Sequence, residues 1–109
     1  FNGKPAVVGG QNDLAVFSID QATGEPTLIQ NADGHTVELR TFGIDPGGRM
    51  LVAAGIASAP VRDGDRIIEV PAALSVFRVG DDGKLAFIRK YDIDTGPERQ
   101  FWTGMITLP

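Results

Sequence analysis

The sequence predicts an all-β fold of short antiparallel strands, and three observations support this prediction. Fourteen glycines and seven prolines among 109 residues lie largely between short apolar runs, as turn residues lie between strands. No segment has a convincing helical pattern, because Gly55 and Pro60 interrupt the helix-favouring alanines of residues 53–60. The third observation is a repeat, since residues 14–42 and 73–102 follow nearly the same pattern.

Three strands are predicted in the first third of the chain. Residues 6–9 (AVVG) form a brief apolar run. Residues 14–19 (LAVFSI) are apolar nearly throughout, which predicts burial on both faces. Residues 26–30 (PTLIQ) follow the turn DQATGEP, which has Asp and Gly at hairpin positions. A connection this short makes the two strands that it joins antiparallel.

Five more predicted strands follow. Residues 40–45 (RTFGID) alternate in polarity, and the turn DPGGR joins them to the buried run at residues 50–54 (MLVAA). Residues 74–79 (LSVFRV) and 85–90 (LAFIRK) repeat the second and third strands across the turn GDDGK. Residues 100–108 (QFWTGMITL) begin like residues 40–45, so they are predicted as the last strand.

The spacing of the repeat indicates the structural unit. Matched residues are separated by 59 or 60 positions, and the link before the second copy is fifteen residues longer than the link before the first. The underlying period is therefore about 45 residues, which is typical of a four-stranded propeller blade. The matched pairs are Leu14 and Leu74, Val16 and Val76, Phe17 and Phe77, Gly24 and Gly83, Leu28 and Phe87, Ile29 and Ile88, Arg40 and Arg99, and Phe42 and Phe101.

The predicted fold is therefore antiparallel four-stranded β-propeller blades, about two blades of a larger propeller. With the strands of a blade lettered A to D from the axis outward, residues 1–34 supply strands B to D of one blade. Residues 35–93 supply a complete blade with an insertion at residues 56–72, predicted as a solvated loop or hairpin or as a binding loop. Residues 94–109 supply the first strand of the next blade. Closed propellers have about four to eight blades, so we expect a segment of a larger ring, or a chain that oligomerises. The alternative is a small self-contained β-sandwich.

Composition narrows the classes of function. The net charge of −4 and pI of about 4.8 argue against nucleic acid or a membrane as partner, because both require a cationic face. The absence of cysteine excludes disulfides, thiolate nucleophiles and cysteine-based zinc sites. No apolar run reaches the roughly 20 residues of a membrane-spanning helix and no signal peptide is visible. We expect a soluble protein, cytoplasmic or periplasmic. The start at Phe1 suggests a processed or excised piece, and an artificially trimmed chain explains it equally well.

Two motifs in register resemble a known family. The stretch LAVFSIDQATGEPTLIQ, followed by RTFGIDPGGRMLVAAG, is similar to the blade repeat of seven-bladed lactonase-type propellers. That family includes propeller-type 6-phosphogluconolactonases and the fungal 3-carboxymuconate-lactonising enzyme, with bacterial relatives called 3-carboxymuconate cyclases. The resemblance covers nearly all of the chain outside the insertion. The ending QFWTGMITLP resembles the carboxyl end of such proteins, which implies the C-terminal two blades of a parent.

The resemblance implies a site in the central channel, lined by the innermost strands and specific for carboxylate-rich lactones. Arginine suits this chemistry, because its guanidinium stays charged and binds a carboxylate in bidentate fashion. Arg40 and Arg99 begin the two innermost strands and are the candidate substrate-binding residues. Their alternative is a structural role in the repeat, bonding to neighbouring loops or to Asp or Glu across blades. The family pattern Pro-Arg-His is replaced here by Leu-Arg-Thr at Arg40 and Glu-Arg-Gln at Arg99.

Lactone chemistry also requires a proton donor or acceptor, usually histidine or a carboxylate. His35, the single histidine, and Glu98 are the candidate catalytic residues, with Glu38 as a further carboxylate. Each could equally be an exposed turn residue or an ion-pair partner. Trp102 is expected to pack between blades.

Cofactor and metal chemistry find no support in the sequence. No helix follows the turns GGQNDL and DPGGR to bind a phosphate, and DDG and DGD lack the ligand spacing of a calcium loop. We therefore expect no cofactor and no metal.

Two classes of function remain open. The chain belongs either to an enzyme, a lactone hydrolase or a lactonising isomerase, or to a non-catalytic binding or scaffold propeller. The expected partners are a small carboxylate or lactone substrate and either the remaining blades or further copies of the chain. As an isolated segment it is expected to be inactive, because a channel requires a ring.

Overall fold

A computed structural model describes residues 1–8 and 10–109 of the protein, and within these ranges it contains eight strands and no helix. The strands are β1 (Asp13–Ile19), β2 (Pro26–Asp33), β3 (Leu39–Ile44), β4 (Met50–Gly55), β5 (Ala59–Asp63), β6 (Arg66–Val70), β7 (Ala72–Val79) and β8 (Leu85–Ile93).

The strands form three antiparallel sheets. The largest has the order β3-β4-β7-β8, which is one complete four-stranded blade. The hairpin β1-β2 forms a second sheet, and the hairpin β5-β6 forms a third within the predicted insertion. The all-β fold of antiparallel propeller blades is thus confirmed. Six of the eight predicted strands are present with similar bounds, and the insertion is a hairpin.

The predicted strand at residues 6–9 does not join β1. Gly9 lies outside the described residues, and Val7 instead forms an isolated parallel bridge with Val61 of β5. The Val7 N–H donates to the Pro60 carbonyl at 2.8 Å, and the Arg62 N–H donates to the Val7 carbonyl at 2.9 Å. Both backbone groups of Val7 are therefore satisfied at the edge of β5, while β1 pairs with β2 alone.

The predicted strand at residues 100–108 is also absent, because its backbone forms no ladder with any described strand. The segment instead lies against β3, where a Cβ on Gly43 would come within 3.3 Å of Met105 Cγ and 3.6 Å of Gly104 Cα. Its start is anchored by the Gln100 N–H, which donates to the Ile56 carbonyl at 2.9 Å. It covers the β3 end of one face of the sheet, the face to which Gly43 belongs and opposite the one that carries Phe42.

The two copies of the repeat fold alike. The pairing register shifts after Val16 in β1 and after Val76 in β7. At each shift the partner strand carries one extra residue, which is Ile29 in β2 and Ile88 in β8. The turn Asp20–Gly24 is one residue longer than the turn Gly80–Gly83, which accounts for the change of offset from 60 to 59.

The core lies between the hairpin β1-β2 and one face of the four-stranded sheet. Its buried residues are Ala32, Leu51, Ala53 and Phe77, with Leu14, Leu39, Val79 and Leu85 packed around them. Phe77 is 1% exposed. This packing joins β1 and β2, the predicted C and D strands of the first blade, to the complete four-stranded blade.

Polar contacts fix the alignment of the two sheets. The Gln30 side chain donates to the Leu85 carbonyl at 2.9 Å and accepts from the Leu85 N–H at 2.7 Å. The buried Ser75 hydroxyl donates to the Gly34 carbonyl at 2.6 Å. Buried polar groups paired in this way hold one relative position of the sheets, since any shift would leave them unsatisfied.

The expected burial of β1 on both faces is wrong. Leu14 faces the core, whereas Phe17 and Ile19 on the other face are each 50% exposed. An apolar strand is buried on both faces only if a second layer covers it, and no second layer covers this face of β1 in the described chain.

Gly34 is required by close packing at the junction of the two sheets. A Cβ at this position would lie 2.5 Å from the Asn12 carbonyl oxygen, and it would overlap Leu39. We expect Gly34→Ala to lower the free energy of unfolding by about 1–3 kcal/mol, the usual cost of overpacking. Gly104→Ala is the control, because a Cβ there meets nothing within 4 Å. Urea unfolding measures both variants, and equal stability of the two would contradict the packing described here.

Candidate functional site

Arg40 lies where β3 departs from regular pairing. Leu39 pairs with Gly55 and Thr41 with Ala54, so the irregularity leaves Arg40 without a partner in the ladder. Its side chain is exposed, and no ion pair holds it among the described residues. β3 is the edge strand of the blade. A bulge at an edge re-aims a side chain away from the sheet, which leaves this guanidinium free for an external anion.

The guanidinium of Arg40 lies against the segment that repeats its own motif. Its carbon Cζ is 5.6 Å from the centre of the Phe101 ring, a cation–π distance. The Thr103 N–H donates to Thr41 Oγ1 at 3.3 Å, which ties the same segment to β3. Arg40, Thr41, Phe101 and Trp102 together line an open groove. The groove therefore combines a cation, a hydroxyl and two aromatic rings.

Arg99 stands at the start of this segment, which Gln100 anchors. The Gln100 side chain donates to the Gly55 carbonyl at 2.5 Å and approaches the Ala73 carbonyl at 3.5 Å. Arg99 is exposed and, like Arg40, has no ion-pair partner in the described chain. The structural role considered for the two arginines, bonding to neighbouring loops or to a carboxylate across blades, stays an alternative prediction.

His35 lies in a different groove from Arg40. Its backbone has a φ of 56°, and its N–H donates to Asp33 Oδ1 at 2.8 Å. The imidazole stacks on Phe87 with ring centres 3.7 Å apart. The ring is exposed and lines a shallow groove with Asn12 and Thr36. It is accessible to solvent but is oriented by an aromatic ring instead of by a carboxylate.

Glu98 and Glu38 occupy exposed turns. The Glu98 N–H donates to the Thr95 carbonyl at 2.9 Å, and the Glu38 N–H donates to Asn12 Oδ1 at 3.0 Å. Glu38 has a φ of 53°. No hydrogen bond, ion pair or groove of residues 1–8 and 10–109 joins Glu98 to His35. The structure brings Arg40 together with the segment that follows Arg99, and it leaves His35 and Glu98 apart.

Trp102 does not pack between the sheets of this chain. It is 91% exposed, because the segment meets β3 through Thr103 and Met105 and nothing described covers its outer side. The sequence analysis also missed Thr41 and Phe101 as groove residues. The repeat of RTF as RQF, at Arg40 and Arg99, was the signal that could have indicated them.

The two motifs that resemble the family's blade repeat each contain an aspartate that accepts hydrogen bonds within a turn. Asp20 Oδ1 accepts the N–H groups of Ala22 and Thr23 at 2.9 and 2.8 Å. Asp45 Oδ1 accepts the N–H groups of Arg49 and Met50, each at 2.7 Å. These N–H groups favour the charged form and lower the pKa of both carboxyl groups below the ordinary value of 3.8. Both carboxylates are therefore occupied by backbone.

The described residues contain no cluster of histidine, aspartate and glutamate side chains arranged to bind a metal ion. Over the same part of the chain, no helix has the length and apolar character needed to cross a membrane.

Comparison with known proteins gives one match. A family model described as Lactonase, 7-bladed beta-propeller matches residues 6–63, which is more than half of the chain and includes β1 to β5. Searches of curated proteins and of solved structures each found no match. The assignment of β7 and β8 to a second blade rests on the internal repeat and on their pairing with β4.

Asp45→Ala tests the structural role of the motif carboxylates. We expect it to lower the melting temperature by several degrees at neutral pH, because the N–H groups of Gly47, Arg49 and Met50 lose their acceptor. Since the pKa of Asp45 is lowered by folding, its contribution is complete above the unfolded pKa. It is lost as the pH falls through the folded value.

The deficit of Asp45→Ala relative to the wild type should therefore shrink below about pH 4. Asp81→Ala is the matched control, because Asp81 lies in an exposed turn and its carboxylate accepts no hydrogen bond in the described chain. Thermal unfolding across the acid range measures both variants. A deficit that grows in acid would contradict this role.

Proposed function

The chain belongs to the lactonase family of seven-bladed β-propellers, and we propose on this basis that it forms part of a channel that binds a carboxylated lactone or a sugar lactone. Arg40 and Arg99 bind the carboxylate of this substrate. His35 and Glu98 are the candidates in this chain for proton transfer. The reaction class is lactone hydrolysis or lactone-forming isomerisation, as in 3-carboxymuconate cyclases.

The observation that carries the proposal is the state of the two matched arginines. Both are exposed, neither is neutralised within the described chain, and they belong to segments that lie side by side. A repeat that served only to hold blades together would be expected to pair its arginines with carboxylates. An unpaired guanidinium beside an aromatic ring suits a planar carboxylate, because the fork binds the anion while the ring excludes water.

The arrangement of the sheets supports the proposal that a single chain lacks activity. One chain is flat, with extents of 53 × 36 × 21 Å, and its largest sheet is open at both edges. The groove beside Arg40 is correspondingly open to solvent on one side. Lactone chemistry gains most from charged groups in a site from which water is excluded, and the walls of such a site have to come from further blades.

A non-catalytic binding or scaffold module is the second candidate, and one observation favours it. His35 and Glu98 share no contact, and His35 is stacked on Phe87 without a carboxylate to orient it. A binding module would use the same arginines and need no proton transfer. Tight binding of a carboxylate ligand without turnover would distinguish this candidate from the enzyme.

Replacement of either arginine tests the substrate site. In the complete propeller that carries this segment, we expect Arg40→Ala and Arg99→Ala each to lower kcat/KM for a carboxylated γ-lactone by about 10- to 100-fold, the cost of a lost charged hydrogen bond. Arg40→Lys should lie between them and the wild type, because it keeps the charge but loses the bidentate fork.

Arg66→Ala is the control for these variants. Arg66 lies in the insertion hairpin, where it pairs with Asp63 at 3.0 Å, away from β3. It should leave the steady-state constants unchanged. Wild-type kinetics from both Arg40→Ala and Arg99→Ala would overturn the substrate role.

The monomeric chain should not turn over lactones. We expect the opening of a sugar δ-lactone and of a carboxylated γ-lactone to proceed at the uncatalysed rate in the presence of the monomer, followed by pH-stat titration. A rate proportional to monomer concentration would contradict the requirement for a closed channel.

A further inference from the structure

The packing inside one chain provides a template for contact between blades. The hairpin β1-β2 uses the face with Leu14 and Ala32 to cover the face of the next blade that carries Phe77. Alternation along the strands places Phe17 on the opposite face of β1 from Leu14, and Leu74 on the opposite face of β7 from Phe77. Each sheet therefore has one face inside this interface and one outside it.

The uncovered face of the first hairpin matches the covered face of the complete blade. Phe17 corresponds to Phe77 in the repeat, yet it is 50% exposed while Phe77 is 1% exposed. Leu28 corresponds to Phe87, and these two residues are exposed to similar extents, 50% and 42%. The contrast between the blades therefore rests on the phenylalanine pair, which is covered in the complete blade and bare in the hairpin. We call the bare surface, formed by Phe17, Ile19 and Leu28, the acceptor face.

The other face of the complete blade, which residues 100–108 cover beside β3, matches the covering face of the first hairpin. It carries Leu74, Val76 and Tyr91, which correspond to Leu14, Val16 and Ala32. Leu74 and Val76 are half-buried, and Tyr91 is 50% exposed. We call this surface the donor face. Residues 100–108 lie on the same side of the sheet, against Gly43, so the donor face continues toward the groove beside Arg40.

The hydrogen bonds between Gln30 and Leu85, which join the two sheets inside one chain, also have a counterpart on the exposed faces. Gln30 both donates to and accepts from the backbone of Leu85, and the matching residues are Arg89 and Pro26. Arginine can only donate and proline offers only a carbonyl. In a repeated contact of this kind, Arg89 takes the place of Gln30 and Pro26 takes the place of Leu85. One donor then faces one acceptor, so the pair remains complementary.

We infer that the chain associates head to tail with a second copy of itself, the donor face of one copy covering the acceptor face of the next. The Arg89 guanidinium of one copy donates to the Pro26 carbonyl of the neighbour. The contact is heterologous, because each copy uses two different surfaces, and repetition of it leads to a ring or to an open chain of copies. Continuity with the interface already present inside the chain is what identifies a second copy as the occupant.

Two variants, each with one damaged face, test the inference. Leu28→Asp places a charge on the acceptor face, and Tyr91→Asp places one on the donor face. Both residues are 50% exposed in the single chain, so each chain should still fold, as circular dichroism would verify. The control is Ile68→Asp on the β6 strand of the insertion hairpin, which is 37% exposed and lies on neither face. If an aspartate variant fails to fold, Leu28→Asn or Tyr91→Asn replaces it.

Light scattering after size exclusion and native mass spectrometry give the readout. We expect wild type and Ile68→Asp to associate as concentration rises, and each face variant alone to associate about 100-fold more weakly, the cost of an unpaired buried charge. Leu28→Asp mixed with Tyr91→Asp should yield a dimer of one copy each, since each retains the face that the other lacks. Arg89→Ala should weaken wild-type association by roughly 2- to 10-fold.

Three results would overturn the inference. A wild-type chain that stays monomeric from micromolar to millimolar concentration would show that these faces do not bind a second copy. Association of Tyr91→Asp alone as strongly as wild type would indicate an isologous contact. A mixture of the two face variants that remains monomeric would show that the faces are not complementary.

Discussion

The packing of the β1-β2 hairpin on the four-stranded sheet is the interaction on which the rest of the fold depends. A two-stranded hairpin is marginal by itself in water, and a sheet with a bare apolar face is not stable in isolation. Leu14 and Ala32 bury Phe77, and the bonds from Gln30 to Leu85 fix the register of the two layers. The close approach at Gly34 and the bond that its carbonyl accepts from Ser75 exist only because these layers are in contact.

The same packing explains the surfaces that remain open. A sheet has two faces, and one interface between two sheets covers only one face of each. Half-exposed Phe17 and Leu28 lie on the remaining face of the hairpin, and Tyr91 lies on that of the blade. Arg40 and the segment that contains Trp102 lie at the edge of the blade, where no further strand pairs with β3. The exposed faces and the open groove thus have the same cause, because no further layer or strand of the described chain covers them.

The motifs that define the family have a structural role in this chain. Asp20 and Asp45 belong to the motifs in register, yet their oxygens are occupied by backbone N–H groups of the following turns. Family membership therefore informs the architecture more strongly than the chemistry. The groups proposed for binding are Arg40 and Arg99, which no carboxylate of the described chain neutralises. This separation explains how one blade repeat could serve both enzymes and binding modules.

The sequence alone determined what depends on neighbouring residues. Six strands, their hairpin turns and the offset of the repeat follow from apolar runs and from Asp, Gly and Pro positions, because turn geometry and strand propensity are local. The match of Arg40 and Arg99 follows from the same repeat. Only the tertiary structure decided which of two matching phenylalanines is buried, where Val7 pairs, and that residues 100–108 lie against β3 without a ladder. Those outcomes depend on which distant segment supplies the second layer or the neighbouring strand, and a repeat assigns the same preference to both of its copies.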